Sequence, residues 1–504
     1  MMALQVSTDG ITLGDLLQGL VPEESVQNRL VTGMTLDSRH INAGDLFLAC
    51  RGLSVDGAEF IDDAIAAGAS AVLIDAASVR EKSYYPVPVI AVPELAEKAG
   101  LIASRFYDLP SASINVIGIT GTNGKTSIAY FIVQSLNANS DENAGVVGTL
   151  GIGVPGKMQE SANTTPDTIT IHRAIADMRD QGMRNVVMEV SSHALDQARV
   201  VAVSFDIAIF SNLSQDHLDY HGDMQSYAEA KRQLFLKQSL HSAVINIDDD
   251  FGRQLAKEFA TSLRVITYST NADAIDEGSS EHVSGLVTCA ELGALTIEVK
   301  SPWGEGTIVT RLSGEFNASN ILACVSALCL SGLTFTDAIE RISKLQAVPG
   351  RMECFSKAGN ARVIVDYAHT PDALEKVLTS LRHASKGKLV CVFGCGGDRD
   401  KGKRALMGKI AETWSDHIIL TNDNPRNEDA MSIIEQILTG IESKDKFSII
   451  ADRGLAIEQA IRLSSADDVV LIAGKGHESW QEIAGERSPF SDRILVRNLL
   501  EQAQ

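Results

Sequence analysis

The stretch that most constrains the fold runs from Ile114 to Ser127 and reads INVIGITGTNGKTS. A short β-branched run leads into a glycine turn, which is followed by a Lys-Thr pair and an apolar pattern with helical spacing. A strand, a glycine loop and a helix in this order wrap a phosphate, because backbone N–H groups turn inward at the positive end of the helix. Lys125 adds a full positive charge, so the stretch predicts binding of a nucleotide phosphate.

This loop departs from the usual pattern G-x-x-x-x-G-K-[ST] at the first glycine, where Ile119 stands. Gly118 and Gly121 lie on either side of that position, so the loop is a variant of the pattern. Glycine turns before helices also occur for purely structural reasons. The prediction therefore depends on the Lys-Thr pair and on the preceding strand.

Length and charge limit the classes of protein to which the chain can belong. A chain of 504 residues with 44% hydrophobic residues is expected to hold about three packed domains. Its net charge of −21 argues against a general nucleic-acid or anionic-membrane surface. Seven scattered cysteines, no signal segment and no run of 18 apolar residues predict a cytoplasmic protein with reduced thiols that binds neither nucleic acid nor membranes.

Turn-rich segments divide the chain into three predicted α/β domains. The first covers residues 1–112, the second covers 113–346 and opens with the glycine loop, and the third covers 347–504. Continuously apolar strands dominate the second domain, which favours a mainly parallel sheet. Strands alternate with helical patterns in the third domain, which predicts parallel βαβ units.

Unusual polar residues cluster just after the apolar strands of the second and third domains. Glu189, Asp366 and Asp423 are examples, and the segments 212–217 and 474–478 follow the same rule. Ligands of open α/β sheets bind beyond the carboxyl ends of the strands. Two sheets with such edges suggest a cleft between two domains.

Several of these residues are candidates for metal binding, each with a structural alternative. Thr126 follows the loop lysine and is placed to ligate Mg²⁺. Glu189 is an acid in an apolar strand, which is costly unless a metal or a hydrogen-bonding neighbour such as Ser191 or Ser192 satisfies it. His217 lies among many metal-capable side chains, but it is equally suited to capping a helix.

The basic candidates are also open to two interpretations. Lys231 lies on a helical pattern and is expected to be solvated. Arg399 belongs to a glycine-rich, basic segment that suits an anion but is also typical of a solvated loop. Arg426 follows Pro425 on a rigid turn, where a guanidinium either binds a carboxylate through two hydrogen bonds or faces solvent.

Nine motifs, in this order along the chain, resemble the Mur ligase family: TGTNGKTS (120–127), NTTPDT (163–168), MEVSSHAL (188–195), NLSQDHLDYHGDM (212–224), PGRME (349–353), VDYAHTPDAL (365–374), VFGCGGDRDKGKR (392–404), DNPR (423–426) and GKGHE (474–478). They extend over all three predicted domains. The resemblance implies a small N-terminal domain for a UDP-linked substrate, a central P-loop ATPase and a C-terminal Rossmann-like domain that receives an amino acid.

The resemblance also implies a reaction. Such an enzyme is an ATP-dependent amide ligase that joins meso-2,6-diaminopimelate to the D-Glu of UDP-N-acetylmuramoyl-L-Ala-D-Glu through an acyl phosphate. It serves peptidoglycan synthesis, and with it cell-wall biogenesis, cell shape and cell division, and a monomer is expected. The DNPR motif favours diaminopimelate over L-lysine, because Arg426 offers a fork to the distal carboxylate that lysine lacks.

Site residues are carried over from the family motifs. Those implied to bind ATP are Gly121, Thr122, Asn123, Gly124, Lys125, Thr126, Ser127, Asn317, Arg351 and Asp366. Those implied to bind the UDP-linked substrate are Leu36, Ser38, Asn163, Thr164, Thr165, Ser191, Gln197 and Arg199. Those implied to bind diaminopimelate are Arg399, Asp423, Asn424, Pro425, Arg426, Gly474 and Glu478.

The family further implies two Mg²⁺ sites and a modified lysine. Thr126 and Glu189 would serve one ion and His217 the other, while a CO₂-derived carbamate on Lys231 would help to place the second metal. Lys125, Glu189, His217 and Lys231 are thus the implied catalytic set. The alternatives are an L-lysine-adding ligase, a folylpolyglutamate synthetase-like enzyme and a catalytically silent nucleotide-binding scaffold.

Overall fold

The computed structural model describes residues 10–26, 29–52, 55–78, 84–138, 143–271 and 281–502. Packing divides the chain into two compact units. The first unit contains the described residues of Met1–Gly118, Asp141–Asp206 and Leu236–Leu240, and the second contains those of Ile119–Ser140, Ile207–Phe235 and His241–Gln504. Each unit is therefore assembled from segments that are distant in sequence.

The strands of the described residues are, in chain order, β1 (Ile11–Thr12), β2 (Leu30–Val31), β3 (Gly33–Thr35), β4 (Asp45–Ala49), β5 (Ala71–Asp75), β6 (Val89–Val92), β7 (Asn115–Thr120), β8 (Ala144–Gly148), β9 (Gly151–Val154), β10 (Lys157–Gln159), β11 (Asn185–Glu189), β12 (Ile207–Phe210), β13 (Ser242–Asn246), β14 (Arg264–Ser269), β15 (His282–Glu291), β16 (Ala294–Ser301), β17 (Gly304–Thr310), β18 (Glu353–Phe355), β19 (Arg362–Asp366), β20 (Leu389–Phe393), β21 (His417–Leu420), β22 (Phe447–Ile449), β23 (Val469–Ala473), β24 (Trp480–Ile483) and β25 (Glu486–Pro489).

The α-helices of the same residues are α1 (Leu13–Leu17), α2 (Ile61–Ala66), α3 (Leu95–Phe106), α4 (Lys125–Leu136), α5 (Thr168–Asp180), α6 (Ser192–Asp196), α7 (Leu218–His221), α8 (Met224–Arg232), α9 (Asp250–Phe259), α10 (Asn317–Leu330), α11 (Phe335–Ile342), α12 (Pro371–Ala384), α13 (Gly402–Trp414), α14 (Ala430–Leu438), α15 (Arg453–Leu463) and α16 (Asp492–Gln502). None of the helices in the described part of the chain combines the length and apolar character that a membrane span requires.

A four-stranded parallel sheet with the order β3-β4-β5-β6 organises the N-terminal part of the first unit. Leu46 and Leu48 point to one face, where they join the buried residues of α1 and α3. Phe47 and Ala49 point to the other face and pack with α2. Both faces are covered, which explains why β4 is apolar at nearly every position.

The rest of the first unit contains strands in the order β10-β9-β8-β11. β11 runs parallel to β8, whereas β8, β9 and β10 form an antiparallel meander. Glu189 is the last residue of β11, so it lies at the carboxyl end of a parallel pair. This is the edge at which sequence analysis predicts ligand-binding residues.

In the second unit, β12, β13, β14 and β15 run parallel, and β15, β16 and β17 form an antiparallel meander. The end of β7 lies beside β12, with the Ser211 N–H donating to the Thr120 carbonyl at 3.0 Å. The helix that follows the glycine loop, α4, packs against α10. The glycine loop thus begins at the carboxyl end of β7 and leads into α4, which packs against α10.

A second sheet of this unit has the order β18-β19-β23-β20-β21-β22, with only β18 antiparallel among these strands. Apolar clusters cover its two faces, one including α12, α13 and α14 and the other including α15 and α16. The parallel strands predicted for the third domain are present as β19, β20, β21, β22 and β23. The α/β fold class with parallel sheets is confirmed.

Candidate active site

The glycine loop between β7 and α4 has a backbone that requires glycine at two positions. Gly121 has φ +144°, and a Cβ there would overlap the Ser211 hydroxyl. Gly124 has φ +88°, and its Cβ would lie 2.6 Å from Asn320 Oδ1. These conformations direct the chain into the N-terminus of α4, where unsatisfied N–H groups favour an anion.

Asn212, just after β12, holds the loop in this shape. Its carbonyl accepts a hydrogen bond from the Thr122 N–H at 2.8 Å, and its Oδ1 accepts one from the Asn123 N–H at 2.9 Å. Its Nδ2 donates to the Asn123 carbonyl at 3.0 Å. Two motifs separated by about ninety residues therefore form one rigid loop assembly.

Two lysine ammonium groups meet at the carbonyl of Gly121. Lys125 Nζ donates to it at 2.8 Å and to the Thr122 carbonyl at 2.9 Å, while Lys231 Nζ donates to it at 3.0 Å. Lys231 is 1% exposed, and its Nζ lies 4.1 Å from the centre of the Tyr227 ring. The expectation of a solvated Lys231 is therefore wrong, because α8 packs this side chain against the loop.

The electrostatics of Lys231 follow from this burial. Desolvation lowers its pKa well below the ordinary value of 10.5, and the nearby charge of Lys125 lowers it further, against a smaller opposing effect of Asp216. The neutral amine is favoured, and a neutral lysine amine is a nucleophile. Burial and the neighbouring cation thus both shift this side chain toward its neutral form.

Asp216 is a site residue that the sequence interpretation did not single out, although it directly precedes His217. Its Oδ2 lies 3.3 Å from His217 Nε2, and its Oδ1 accepts the His217 N–H at 2.9 Å. Burial tends to raise the pKa of Asp216, but the charges of His217, His369 and Lys403 outweigh it and lower that pKa. His217 begins α7 with φ +54° and makes no side-chain cap to that helix.

Arg351 links the loop to the segment after β19. Its Nη2 donates to the Thr126 hydroxyl at 3.3 Å, and its guanidinium lies 4.1 Å from the centre of the Tyr367 ring. Asp366, at the end of β19, accepts the N–H groups of Met352 at 2.7 Å and Ala368 at 2.8 Å. Burial raises the pKa of this carboxyl despite the nearby Arg351 charge.

Asn317 and His369 complete this neighbourhood. Asn317 begins α10, donates to the Ser313 carbonyl at 2.7 Å and accepts from Asn320, the residue that faces Gly124. Burial lowers the pKa of His369 to about 4, with a further contribution from the charge of Lys403. The predicted ATP-binding residues of the second unit thus surround one loop.

The segments after β21 and β23 form a second cluster, which the family resemblance predicts to bind an amino acid. We define it as Asp423, Asn424, Arg426, Gly474 and Glu478 and call it, after this prediction, the amino-acid pocket. Asn424 Nδ2 donates to Glu478 Oε2 at 2.8 Å. A Cβ on Gly474, which has φ +111°, would overlap Asp423 Oδ2. Two parallel strands that are not adjacent in sequence therefore bring together residues some fifty positions apart.

Arg426 is held by its backbone in a conformation that is unusual for a residue with a side chain. Its φ is +52°. Two backbone hydrogen bonds hold this conformation: the Arg426 N–H donates to the Glu482 carbonyl at 3.1 Å, and the Ala484 N–H donates to the Arg426 carbonyl at 2.7 Å. Nη1 donates to the Gly397 carbonyl at 2.6 Å. In the described part of the chain, Nε and Nη2 donate to no other group, so one edge of the guanidinium is available to a ligand.

The basic segment after β20 does not act as a whole as an anion site. Arg404 is fully buried and pairs with both carboxylate oxygens of Glu428, at 2.9 and 3.0 Å, while donating to the Gly396 carbonyl at 3.0 Å. This hydrogen-bonded pair holds the pKa of Glu428 at about 2. Arg399, in the same segment, is exposed and makes no hydrogen bond to the described residues. Pro425, in the segment after β21, is buried.

In the first unit, Glu189 is the centre of a separate hydrogen-bonded network. It is 1% exposed; its Oε1 accepts the Thr149 N–H at 2.8 Å, and its Oε2 accepts the Thr149 hydroxyl at 3.0 Å. The hydroxyl oxygens of Thr149 and Thr164 lie 3.1 Å apart. The turn after β8 therefore supplies two of the donors that satisfy this carboxylate.

The other predicted substrate residues of this unit continue the network. The Thr165 hydroxyl contacts the Glu189 carbonyl at 2.8 Å and the Ser191 hydroxyl at 3.2 Å. Arg199 donates to the Thr165 carbonyl at 2.9 Å and to Gln197 Oε1. Three further predicted residues make no contact with it in the described structure: Asn163 is exposed, and Leu36 and Ser38 lie after β3.

In residues 10–26, 29–52, 55–78, 84–138, 143–271 and 281–502, no group of three or more His, Cys, Asp or Glu side chains is arranged to hold a metal ion. Mg²⁺ commonly takes only one or two carboxylates, with phosphate and water oxygens filling the rest of its coordination sphere. The glycine loop with the Thr126 hydroxyl would offer that kind of environment once a nucleotide is bound.

Comparison with known proteins places this geometry in a family. Residues 30–107 match the Mur ligase family catalytic domain, residues 119–328 the Mur ligase middle domain, and residues 350–476 the Mur ligase glutamate ligase domain. The UDP-N-acetylmuramoyl-L-alanyl-D-glutamate–2,6-diaminopimelate ligase of Coxiella burnetii is 48% identical over 92% of this chain and 94% of its own.

Solved structures show the same fold. One, a UDP-N-acetylmuramoyl-L-alanyl-D-glutamate–2,6-diaminopimelate ligase, is 32% identical with a TM-score of 0.68 and covers 98% of this chain and 99% of its own. Another, the MurF ligase of Thermotoga maritima in complex with ADP, is 20% identical with a TM-score of 0.64 and covers 93% and 97%. With this similarity over nearly its whole length, the chain belongs to the Mur ligase family.

Proposed function

We propose that this chain is an ATP-dependent ligase that adds meso-2,6-diaminopimelate to the D-Glu of UDP-N-acetylmuramoyl-L-Ala-D-Glu in peptidoglycan precursor synthesis. The observation that carries the proposal is Arg426, whose guanidinium keeps one edge without a hydrogen bond to the described residues, two positions after Asn424, which donates to Glu478. A diamino dicarboxylic acid offers both a carboxylate for the guanidinium and an ammonium for Glu478. The relatives that bear this activity in their names support the same assignment.

ATP binding is proposed at the glycine loop. Gly121 to Ser127 would cradle the phosphates with backbone N–H groups, and Lys125 would neutralise their charge. Asn317, Arg351 and Asp366 lie in contact with this region or support residues that do, and we propose that they bind the nucleotide. A relative with this fold has been solved in complex with ADP, which supports binding of an adenine nucleotide.

The proposed reaction has two steps that this site is suited to promote by charge neutralisation and positioning. The D-Glu carboxylate oxygen attacks the γ-phosphorus of ATP, which forms an acyl phosphate and releases ADP. An amine of diaminopimelate then attacks the acyl carbon, the tetrahedral intermediate expels phosphate, and the amine loses a proton. Lys125 would stabilise the charge that develops on the transferred phosphoryl group.

Magnesium and a lysine carbamate are further parts of the proposal. The Thr126 hydroxyl, Glu189 and His217 would each serve as Mg²⁺ ligands, and the ions would neutralise phosphate charge when bound. Lys231 fits a carbamate because its buried neutral amine is able to add CO₂, with loss of a proton, to give a carboxylate-like group.

Further parts of the proposal concern the UDP-linked substrate and the domains. We propose that Leu36 and Ser38 contact the UDP end, and that the muramoyl dipeptide is bound by Asn163, Thr164, Thr165, Ser191, Gln197 and Arg199. The proposed domain boundaries are 1–112, 113–346 and 347–504. We further propose a cytoplasmic monomer, since both substrates are soluble and all seven cysteines are free thiols.

The test is phosphate release with a panel of amino acids, in the presence of ATP, Mg²⁺ and UDP-N-acetylmuramoyl-L-Ala-D-Glu. We expect turnover with meso-diaminopimelate and at least a hundredfold lower kcat/KM with L-lysine, because lysine leaves the Arg426 edge unpaired. Equal or better turnover with L-lysine would overturn the specificity assignment. No turnover with any amino acid would favour a nucleotide-binding scaffold.

A further inference from the structure

Lys475 is a fully buried cation that contacts two residues of the amino-acid pocket and has no role in the function proposed above. It lies in the GKGHE turn after β23, and its side chain is 0% exposed. Its Nζ donates to Asn424 Oδ1 at 2.9 Å and to Glu478 Oε2 at 2.7 Å. The Trp480 ring lies on a further side, with its centre 5.4 Å from Nζ. A buried ammonium with two specific acceptors is an expensive feature unless it orders its partners.

The first partner is the amide of Asn424, whose orientation Lys475 determines. An ammonium only donates, so the amide oxygen and not the amide nitrogen must face Nζ. A second donor, the Glu482 N–H, meets the same oxygen at 3.1 Å. The amide nitrogen is therefore directed to Glu478 Oε2, at 2.8 Å. A rotated amide would place its NH₂ group against two donors.

The second partner is the carboxylate of Glu478, which has two unlike oxygens. Oε2 accepts from both Lys475 and Asn424, whereas Oε1 accepts no hydrogen bond from any part of the chain that the structure describes. The Glu478 side chain is 18% exposed. One oxygen is thus committed to the protein, and the other remains available for the ammonium group of a ligand.

We propose that Lys475 is a specificity-determining positioning residue of the amino-acid pocket. It fixes the Asn424 amide and the Glu478 carboxylate in the orientation that receives the distal ammonium and carboxylate of a diamino dicarboxylic acid, beside the Arg426 edge. Its positive charge also balances the negative charge of Glu478. A cationic amino acid that lacks a distal carboxylate therefore meets no unbalanced anion that would favour its binding. The inference rests on the function proposed above.

The experiment measures kcat and the three KM values of the Lys475→Met variant. Hydrogen bonds to charged groups contribute enough that we expect the KM for meso-diaminopimelate to rise about 10- to 100-fold. The KM values for ATP and for the UDP-linked substrate should change by less than about twofold, because the contacts of Lys475 described above are confined to the pocket. The kcat/KM ratio of diaminopimelate to L-lysine should fall about tenfold or more.

Two controls separate positioning from simple stabilisation. Lys344→Met removes an exposed lysine that pairs with Glu340, and it should leave all three KM values unchanged. In a Glu478→Gln background, Lys475→Met should have a clearly smaller effect on the diaminopimelate KM, since a residue that acts through Glu478 couples to it. If Lys475→Met does not fold, Lys475→Gln, which keeps a donor of similar length, is measured in the same way.

The failure of this inference is distinguishable from the failure of the proposed function. If the unchanged protein does not use meso-diaminopimelate, the proposed function is wrong. If the unchanged protein uses it, but the Lys475 variant keeps its diaminopimelate KM within about twofold, or raises all three KM values together, only the role of Lys475 is wrong. Full additivity with Glu478→Gln would also overturn it.

Discussion

Two lysines of the second unit are equally inaccessible to water but have opposite electrostatic surroundings. Lys231 is 1% exposed, its Nζ donates to the carbonyl of Gly121, and Lys125 donates to that same oxygen. Lys475 is 0% exposed, and its Nζ is bonded to the Glu478 carboxylate. Burial is thus compatible with two different roles, and the nearest charge decides between them.

The difference follows from elementary electrostatics. Removing an ammonium from water favours its neutral form, and a second cation nearby strengthens that preference, which is the situation of Lys231. Lys475 instead has an anion beside it, because its Nζ lies 2.7 Å from Glu478 Oε2. One region therefore contains an amine available for chemistry, and the other contains a counter-ion that orders its neighbours.

The largest expected effect comes from removing the reactive amine. Lys231→Ala should lower kcat about 10²- to 10³-fold, the cost of losing one preorganised charged group. Millimolar formate or acetate should restore part of the activity by supplying the missing carboxylate, as measured by phosphate release. Lys344→Ala is the matched control. A fully active variant without added acid would show that no carbamate is needed.

Next in size is the effect of changing the guanidinium edge. Arg426→Ala should lower kcat/KM for meso-diaminopimelate about 10²-fold or more, with little change in the KM for ATP. Arg426→Lys should restore little of this loss, because an ammonium lacks the planar fork. Arg462→Ala, at an exposed position, provides the control. An equal loss with every amino acid tested would indicate a purely structural role.

The pKa of Lys231 also predicts the pH dependence of stability. Between its lowered value in the folded protein and the ordinary 10.5, the unfolded chain binds more protons. The contribution of this residue to the free energy of unfolding therefore rises with pH across that window.

Lys231→Met should raise the free energy of unfolding of the unmodified protein at pH 7 by about 1–4 kcal/mol, as replacements of buried charges often do. The gain should shrink toward pH 10.5. Urea denaturation at pH 7 and pH 10 measures both values. A gain that does not change with pH would contradict the lowered pKa.

The smallest effect concerns a contact at the rim of the glycine loop. Asp372, in the first turn of α12, accepts from Asn123 Nδ2 at 2.8 Å and from the Ser214 hydroxyl at 3.3 Å. Asp372→Ala should raise the KM for ATP about fivefold, the equivalent of one hydrogen bond of about 1 kcal/mol. Glu340→Gln is the control, and a larger change in the diaminopimelate KM would place the effect in the other region.

Sequence patterns predicted the parallel strands well, because continuous apolar runs have few alternatives in a sheet covered on both faces. The antiparallel meander of β15, β16 and β17 was not predicted, since its strands alternate between buried and exposed residues. The site was harder. Lys231 has charged neighbours in sequence and seemed solvated, but contact with a loop 110 residues earlier buries it.

The same limit applies to other polar residues of the site. Glu189 accepts hydrogen bonds from the backbone N–H and the hydroxyl of Thr149, 40 residues away. Arg404 pairs with Glu428, 24 residues later, which removes it from the basic loop that suggested an anion site. Sequence identifies residues that need a partner, whereas the identity of that partner depends on the topology of the sheet.

The buried pair of Arg404 and Glu428 has a consequence for protein engineering. Arg404 donates to the carbonyl of Gly396, Glu428 accepts the N–H of Asp398, and Arg426 in turn bonds to Gly397. The loops after β20 and β21 are therefore joined by hydrogen bonds into a single structural unit. If the DNPR segment alone were grafted into a relative, its guanidinium would lack the Gly397 carbonyl that holds it here. An exchange of amino-acid preference therefore requires transplanting both loops together.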